Sequence, residues 1–158
     1  MRVAIASDHA GFPLKSVIAE WLKENGHEVV DVGTHSEESV DYPPFCAAGA
    51  RAVVEGRADL GVVMGGSGNG EAMAANKVHG ARCALCHDEY TARFARKHNN
   101  ANVLSLGARL TADGLALVIL EVFLTTDFEG GRHVPRLAQL ADIEREECER
   151  AGGEGSAS

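Results

Sequence analysis

Apolar positions along this chain alternate between two periods. Val3, Ala4, Ile5 and Ala6 form a short continuous apolar run suited to a buried strand, and Leu14, Val17, Ile18, Trp21 and Leu22 then recur at helical spacing. Pro13 fits the first turn of that helix, where its missing N–H costs nothing, and Gly26 fits the position just past its end. The alternation continues with a strand over 28–32, a helix near 45–54, a strand over 60–64 and a short helix entered through a glycine-rich segment. A strand over 81–85 then precedes a helix carrying Tyr90 and Phe94, and a strand over 102–106 precedes a helix with Leu115, Val118, Ile119, Val122 and Phe123 on one face. Strands joined through helices return parallel to one another, so the pattern predicts an α/β fold: a three-layer, Rossmann-like arrangement with a five-stranded parallel sheet. After Glu129-Gly130-Gly131, the spacing of Val134, Leu137, Ala138 and Ala141 predicts an additional C-terminal helix with no strand behind it. Periodicity leaves open whether that helix closes the domain or reaches a neighbouring subunit.

With 158 residues the chain has room for one domain, placed at 1–150, with 151–158 expected to be a flexible glycine-rich tail. Apolar residues at 45% can build a core. A net charge of −8 without any basic run argues against a nucleic-acid partner. No stretch approaches the roughly 20 consecutive apolar residues of a membrane span, and Met1-Arg2 leads directly into the first strand without a leader pattern, so a cytoplasmic location is expected. Cys46, Cys83, Cys86 and Cys148 suggest no disulfide framework, and Cys83-Ala84-Leu85-Cys86 lies in a predicted strand, where residues three apart face opposite sides.

Ligands of open parallel sheets bind beyond the carboxyl ends of the strands, which singles out Asp8-His9-Ala10-Gly11, the segment Gly65 to Glu71, His98-Asn99-Asn100 and Gly107-Ala108-Arg109. In the second of these, four glycines in six residues between a strand and a helix allow backbone N–H groups to turn toward one anion. It is no Walker A loop, since Glu71 stands where lysine is required, and no complete dinucleotide fingerprint, since Glu71 also stands where the third glycine belongs. Glu71 reads either as a partner of the helix dipole or as a general base beside an oxyanion cradle. Ser67 reads as a turn residue or as a hydrogen-bonding group on the same oxyanion. Asp8 and His9 read as a helix cap with a surface histidine, or as substrate contacts. His98 has a bland reading as a cation on the last carbonyls of a helix. Arg109, Arg132 and Arg136 are either solvated charges or a convergent phosphate clamp, the last two lying one helical turn apart. His27, His35, His79, His87 and His133 show no i, i+4 pairing of the kind a metal site uses.

Six segments taken together, Ser7 to Gly11, Asp41-Tyr42-Pro43, Gly66 to Glu71, Ala74 to Lys77, His98 to Asn102 and Gly130 to His133, closely resemble type B ribose-5-phosphate isomerases in their order and spacing. The resemblance spans Met1 to about Glu147. It implies an aldose–ketose isomerase acting on ribose 5-phosphate and ribulose 5-phosphate through an enediolate, and a homodimer or tetramer whose active sites are shared between subunits. It implies no cofactor and no metal. By the same resemblance Asp8, His9 and His98 open or hold the sugar, Tyr42 and Asn99 line the pocket, and Gly66, Gly68, Asn69 and Gly70 contribute to substrate binding. Arg109, Arg132 and Arg136 bind the phosphate, the arginines of the last helix serving the partner's site. One branch of that family places a cysteine base just after the third strand. Gly65 stands there in this chain, so the resemblance is to the branch that uses a glutamate, here Glu71, assisted by Ser67. Relatives acting on galactose 6-phosphate, allose 6-phosphate or four-carbon ketose phosphates share these motifs. A non-catalytic anion- or nucleotide-binding module is the alternative of a different kind, which the carboxylates and histidine beside the loop disfavour.

Overall fold

The computed structural model describes residues 1–154. The elements run β1 (Arg2–Ser7), α1 (Phe12–Glu24), β2 (Glu28–Asp31), α2 (Tyr42–Val54), β3 (Leu60–Gly65), α3 (Asn69–Ala75), β4 (Cys83–Leu85), α4 (Glu89–Asn99), β5 (Val103–Gly107), α5 (Asp113–Thr125), a 3-10 turn (Gly131–His133) and α6 (Val134–Glu154). The five strands are all parallel, in the order β2-β1-β3-β5-β4. The chain starts one strand in from the edge of the sheet, builds outward to β2, and returns to build the other side from the central β3. The direction of winding therefore reverses between β1 and β3, which opens a crevice beyond the carboxyl ends of those two strands.

Strand alternation sends large and small residues to different faces. Val3, Ile5, Val62, Met64, Leu104 and Leu106 pack with Leu14, Ile18 and Leu22 of α1 and Ile119, Leu120 and Phe123 of α5, forming the main core. Burying each such side chain is worth about 1.5–3 kcal/mol. On the opposite face Ala6, Val63 and Val103 meet Cys46 and Ala50 of α2 and Ala75 of α3. Small residues let α2 lie close to the sheet: a Cβ on Gly49 would stand 3.1 Å from the Cβ of Ala6, and one on Gly61 would stand 3.0 Å from Val53.

The stop of α1 matches its sequence, since Gly26 adopts φ +76° and its N–H donates to the Lys23 carbonyl. Three details differ from the periodic pattern. Helix α2 starts at Tyr42, with Pro43 and Pro44 in its first turn, three residues earlier than Phe45. Strand β4 is shorter than 81–85 because Ala81 turns back to donate to Val78, while the Asn76 side chain satisfies both the N–H and the C=O of Cys83. Helix α5 buries Ala116, Ile119, Leu120, Phe123 and Leu124, leaving Leu115 and Val118 exposed. It is apolar nearly all round, so its pattern does not set its rotation.

Helix α6 continues to Glu154, four residues past the boundary drawn at 150, and 155–158 lie outside the described residues. Val134, Leu140 and Ile143 on α6 remain exposed, and Glu144 anchors the helix by accepting from the Gly80 N–H at 3.1 Å. No helix among the described residues is long and apolar enough to cross a membrane.

Cys83 and Cys86 reach opposite faces of the sheet, against the α2 side and within the main core respectively. Burial pushes the Cys86 thiol up to about 11. It pushes Cys46 up to about 12, with the carboxylates of Glu71 and Asp8 adding to the effect. Cys83 is raised by burial as well, whereas Cys148 is exposed. A chromogenic disulfide reagent at pH 8 is therefore expected to titrate one of the four thiols rapidly in the folded protein and all four after denaturation.

Candidate active site

The crevice between β1 and β3 gathers one group of the residues singled out by sequence. Asp8 is buried directly after β1, and its Oδ1 accepts the Gly11 N–H at 2.9 Å. That bond closes the turn 8–11 ahead of α1, whose N-cap is Gly11, and it fixes the carboxylate at the crevice. Gly11 has no room for a side chain, because a Cβ there would overlap the Met64 carbonyl and lie 2.9 Å from the Gly65 nitrogen. The turn leading into α1 consequently presses against the end of β3. His9 is half-buried, with Nδ1 held 3.2 Å from both the N–H and the carbonyl of Val40.

Across the crevice, the glycine-rich segment turns through Gly68 at φ +82° into α3. The Ser67 hydroxyl accepts from the Asn69 backbone N–H at 3.2 Å and from its side-chain amide at 3.3 Å, so it shapes the turn while its own proton stays free. Among the described residues, the backbone N–H groups of Gly66, Ser67, Gly68, Gly70 and Glu71 donate to no protein acceptor. They form a nest that an oxyanion can occupy. Two residues of β5 support the nest, and of these only Gly107 lay in a segment singled out by sequence. Ser105, fully buried in β5, donates to the Gly68 carbonyl at 2.7 Å, and Gly107 leaves space for the Ser67 carbonyl, which a Cβ would approach to 2.5 Å. The available clue was a lone hydroxyl in the apolar run Val103-Leu104-Ser105-Leu106.

Glu71 is buried, and its Oε2 has no hydrogen-bond partner among the described residues. Leaving a carboxylate oxygen buried and unpaired is costly, a feature that concentrates at functional sites. Its Oε1 fills the space above Gly65, where any Cβ would overlap it. The same volume therefore cannot hold both a side chain at position 65 and this glutamate. The opening beside Glu71 has a volume of about 470 Å³ and is lined by Tyr42, Gly66, Ser67, Gly70, Arg109 and Leu110. The ring of Tyr42 lies against Gly70, where a Cβ would come within 2.6 Å of it, and the Arg109 guanidinium lies over Gly66.

His98, Asn99, Arg132 and Arg136 belong to a second group, away from this crevice. His98 and Asn99 close α4, and the next strand, β5, begins at Val103. They thus sit at the end of the sheet where strands start, and the expectation that they follow a strand is corrected by this polarity. The strands of six residues span about 20 Å. None of the second group lines the opening at Glu71. From Tyr90 at the start of α4 the rings of Phe94 and His98 follow at one-turn intervals in tilted and edge-on contact, and at the far rim His98 stacks on His133 at 4.1 Å between ring centroids. Arg96 ties the end of α4 to the Ala101 and Thr126 carbonyls, and the Glu129 N–H donates to Lys97.

His133, given no site role by the sequence, is buried between the two arginines: Arg132 Nε and Arg136 Nη1 each lie 3.5 Å from one of its ring nitrogens. Burial holds its pKa below the usual imidazole value, and the nearby His98, Arg132 and Arg136 add to the shift. His98, Glu129 and His133 do bring three metal-type ligand atoms within 4.8 Å of one another. However, the two imidazoles are stacked nearly parallel, at 15°, so their in-plane lone pairs do not converge. With two arginines beside them, the cluster favours an anion over a cation.

The family model described as Ribose/Galactose Isomerase matches residues 3–140 of this chain. The chain is 48% identical over 147 residues to ribose-5-phosphate isomerase B of Mycobacterium leprae, covering 92% of this chain and 91% of that protein. Its structure is similar to that of Clostridium thermocellum ribose-5-phosphate isomerase B, with a TM-score of 0.91, 48% identity, and coverage of 92% of this chain and 99% of that one. It is also similar to ribose-5-phosphate isomerase B from Mycoplasma genitalium with bound ribulose-5-phosphate, at a TM-score of 0.88 and 43% identity, covering 92% and 97% of the two chains.

The overlap above Gly65 makes a direct prediction. Gly65→Ala is expected to cost about 1–3 kcal/mol by forcing the buried Glu71 carboxylate to move. In a Glu71→Ala background the same substitution should cost less than half as much, as read from urea unfolding midpoints of the four proteins.

Proposed function

Given that this chain belongs to the Ribose/Galactose Isomerase family, we propose that it interconverts ribose 5-phosphate and ribulose 5-phosphate, as a cytoplasmic enzyme of pentose phosphate metabolism. The observation that carries this reading is the buried Glu71 carboxylate, with one oxygen unpartnered, beside a nest of free backbone N–H groups. A base next to an oxyanion cradle is what enolisation alpha to a carbonyl requires.

The two rims become one site when two chains associate, because a single chain holds its carboxylates and its His98–Arg132–Arg136 cluster at opposite ends of the sheet. We read the protein as a homodimer in which Asp8, His9, Tyr42, Ser67, Glu71 and Arg109 of one subunit meet His98, Asn99, Arg132 and Arg136 of the partner subunit. The exposed apolar positions of α6 support that association. Arginines from both sides then neutralise the phosphate, which anchors the sugar far from the reacting carbons.

Asp8 and His98 of the partner subunit open the ring, one removing the anomeric hydroxyl proton while the other protonates the ring oxygen. Glu71 next takes the proton from C2 of the free aldehyde, and the negative charge moves onto O1, where the free N–H groups of residues 66–68, 70 and 71 receive it. The Ser67 hydroxyl passes the proton of O2 to O1. Glu71 returns its proton to C1, leaving a ketone at C2. Each transfer uses a group of the chain itself.

Glu71→Gln is expected to lower kcat/KM for ribose 5-phosphate by about 10²-fold or more with an unchanged circular dichroism spectrum. Normal turnover in that variant would remove Glu71 as the base. A native chain inactive on ribose 5-phosphate but active on galactose 6-phosphate, allose 6-phosphate or a tetrulose phosphate would move the reaction to that substrate. Shared sites have their own signature: Glu71→Gln and Arg136→Ala, each inactive alone, should regain up to about a quarter of native activity when unfolded together and refolded, since random pairing makes half the dimers mixed, each with one intact site. No recovery would place each complete site within one chain.

A further inference from the structure

Lys15 is 1% exposed, and neither the crevice nor the far rim uses it. Lysine is rarely buried unless its charge is paired. Here the ammonium donates to Asp31 Oδ1 at 2.6 Å and to the Thr34 carbonyl, and it lies 5.6 Å from the centre of the Phe12 ring. Both polar partners belong to the segment that leaves β2. Asp31 Oδ1 also accepts the Gly33 N–H at 2.9 Å, so one carboxylate oxygen joins the ammonium to the backbone turn.

That turn is hydrogen-bonded to the end of β1. The Ser7 N–H donates to the Gly33 carbonyl at 2.7 Å, and the Thr34 N–H donates to the Ser7 carbonyl at 2.8 Å, one residue before Asp8. Farther along the same segment, Val40 presents both its N–H and its carbonyl to His9 Nδ1. A neutral ring can accept from the first, and a protonated ring can donate to the second, so Nε2 keeps its direction in either state. Two residues on, Tyr42 begins α2 and covers Gly70. The segment 31–42 therefore touches the active-site crevice at three places, and at its buried end Lys15 is the buried cation that joins Asp31 to the Thr34 carbonyl, with the exposed His35 3.8 Å from the other carboxylate oxygen.

We propose that Lys15 is a positioning residue: by clamping Asp31 and Thr34 it fixes the segment that aims His9 and Tyr42 into the crevice. The proposal rests on the reading of that crevice as the isomerase site, but its structural half can be measured separately. Lys15→Met keeps the length and packing of the side chain and removes the charge. The less buried Asp31→Asn serves as a second variant should the first fold poorly.

In either variant the amide protons of Thr34 and Val40 should exchange with solvent at least tenfold faster by NMR, with those of β3 and β5 unchanged. In the native chain His9→Ala should lower kcat/KM tenfold or more, and in the Lys15→Met background by less than threefold. Glu71→Gln should lower it by the same factor in both. Unchanged exchange at Thr34 and Val40, or a His9→Ala penalty of equal size in both backgrounds, would overturn the proposal. A native chain inactive on every sugar phosphate would sink the isomerase reading alone, and the exchange rates would still decide whether Lys15 holds the segment.

Discussion

The polarity of a parallel sheet governs everything else in this molecule. Every strand ends on one rim, and every helix between strands must run back to the other rim before the next strand can begin. Residues that follow strands, such as Asp8 and the segment 66–71, therefore share one end of the domain, while residues that close helices, such as His98, share the other. No adjustment of side chains brings groups across strands of this length. A reaction needing both sets requires a second chain, and the proposed dimer follows from connectivity before any interface is considered.

Within one rim, the chemistry depends on what glycine leaves out. Gly11 lets the first turn touch β3, Gly107 gives the Ser67 carbonyl its space, and Gly65 leaves the volume that the Glu71 carboxylate occupies. That last substitution of functional atoms for a missing side chain explains why a base can reach the same point from the helix instead of from the strand. The unpaired Oε2 is the energetic counterpart. The carboxylate sits over Gly65 at the end of β3, and its second oxygen is left without a donor among the described residues, free to meet a substrate proton.

Much of this was legible in the chain. The apolar runs and helical spacings place the strands and helices within a few residues, because a strand buried on both faces has no other way to look, and the glycine-rich turn with its glutamate marks the crevice. Three things were not legible, for separate physical reasons. The rotation of α5 escapes periodicity because the helix is apolar on most sides. The placement of His98 depends on which rim a helix ends on, and adjacency in sequence to β5 does not reveal it. The stacking of His133 on His98 joins residues 35 positions apart through a 3-10 turn entered by Gly130 and Gly131, both at positive φ. Ser105 stood in plain sight as a hydroxyl in an apolar strand, yet its acceptor, the Gly68 carbonyl, is fixed only by the pairing of β5 with β3.

The distribution of charge completes the argument. With a net charge of −8, the surface as a whole repels a phosphorylated sugar. The far-rim cluster counters this locally with Arg132 and Arg136 and with a histidine whose burial holds it toward the neutral form. A dianionic phosphate held between the arginines in the proposed site would oppose that bias, since an added negative charge favours the protonated imidazole. His98 is stacked against the same ring. In the proposed site, where Arg132 and Arg136 take the phosphate and His98 acts in ring opening, the two tasks meet at one face-to-face contact between His98 and His133.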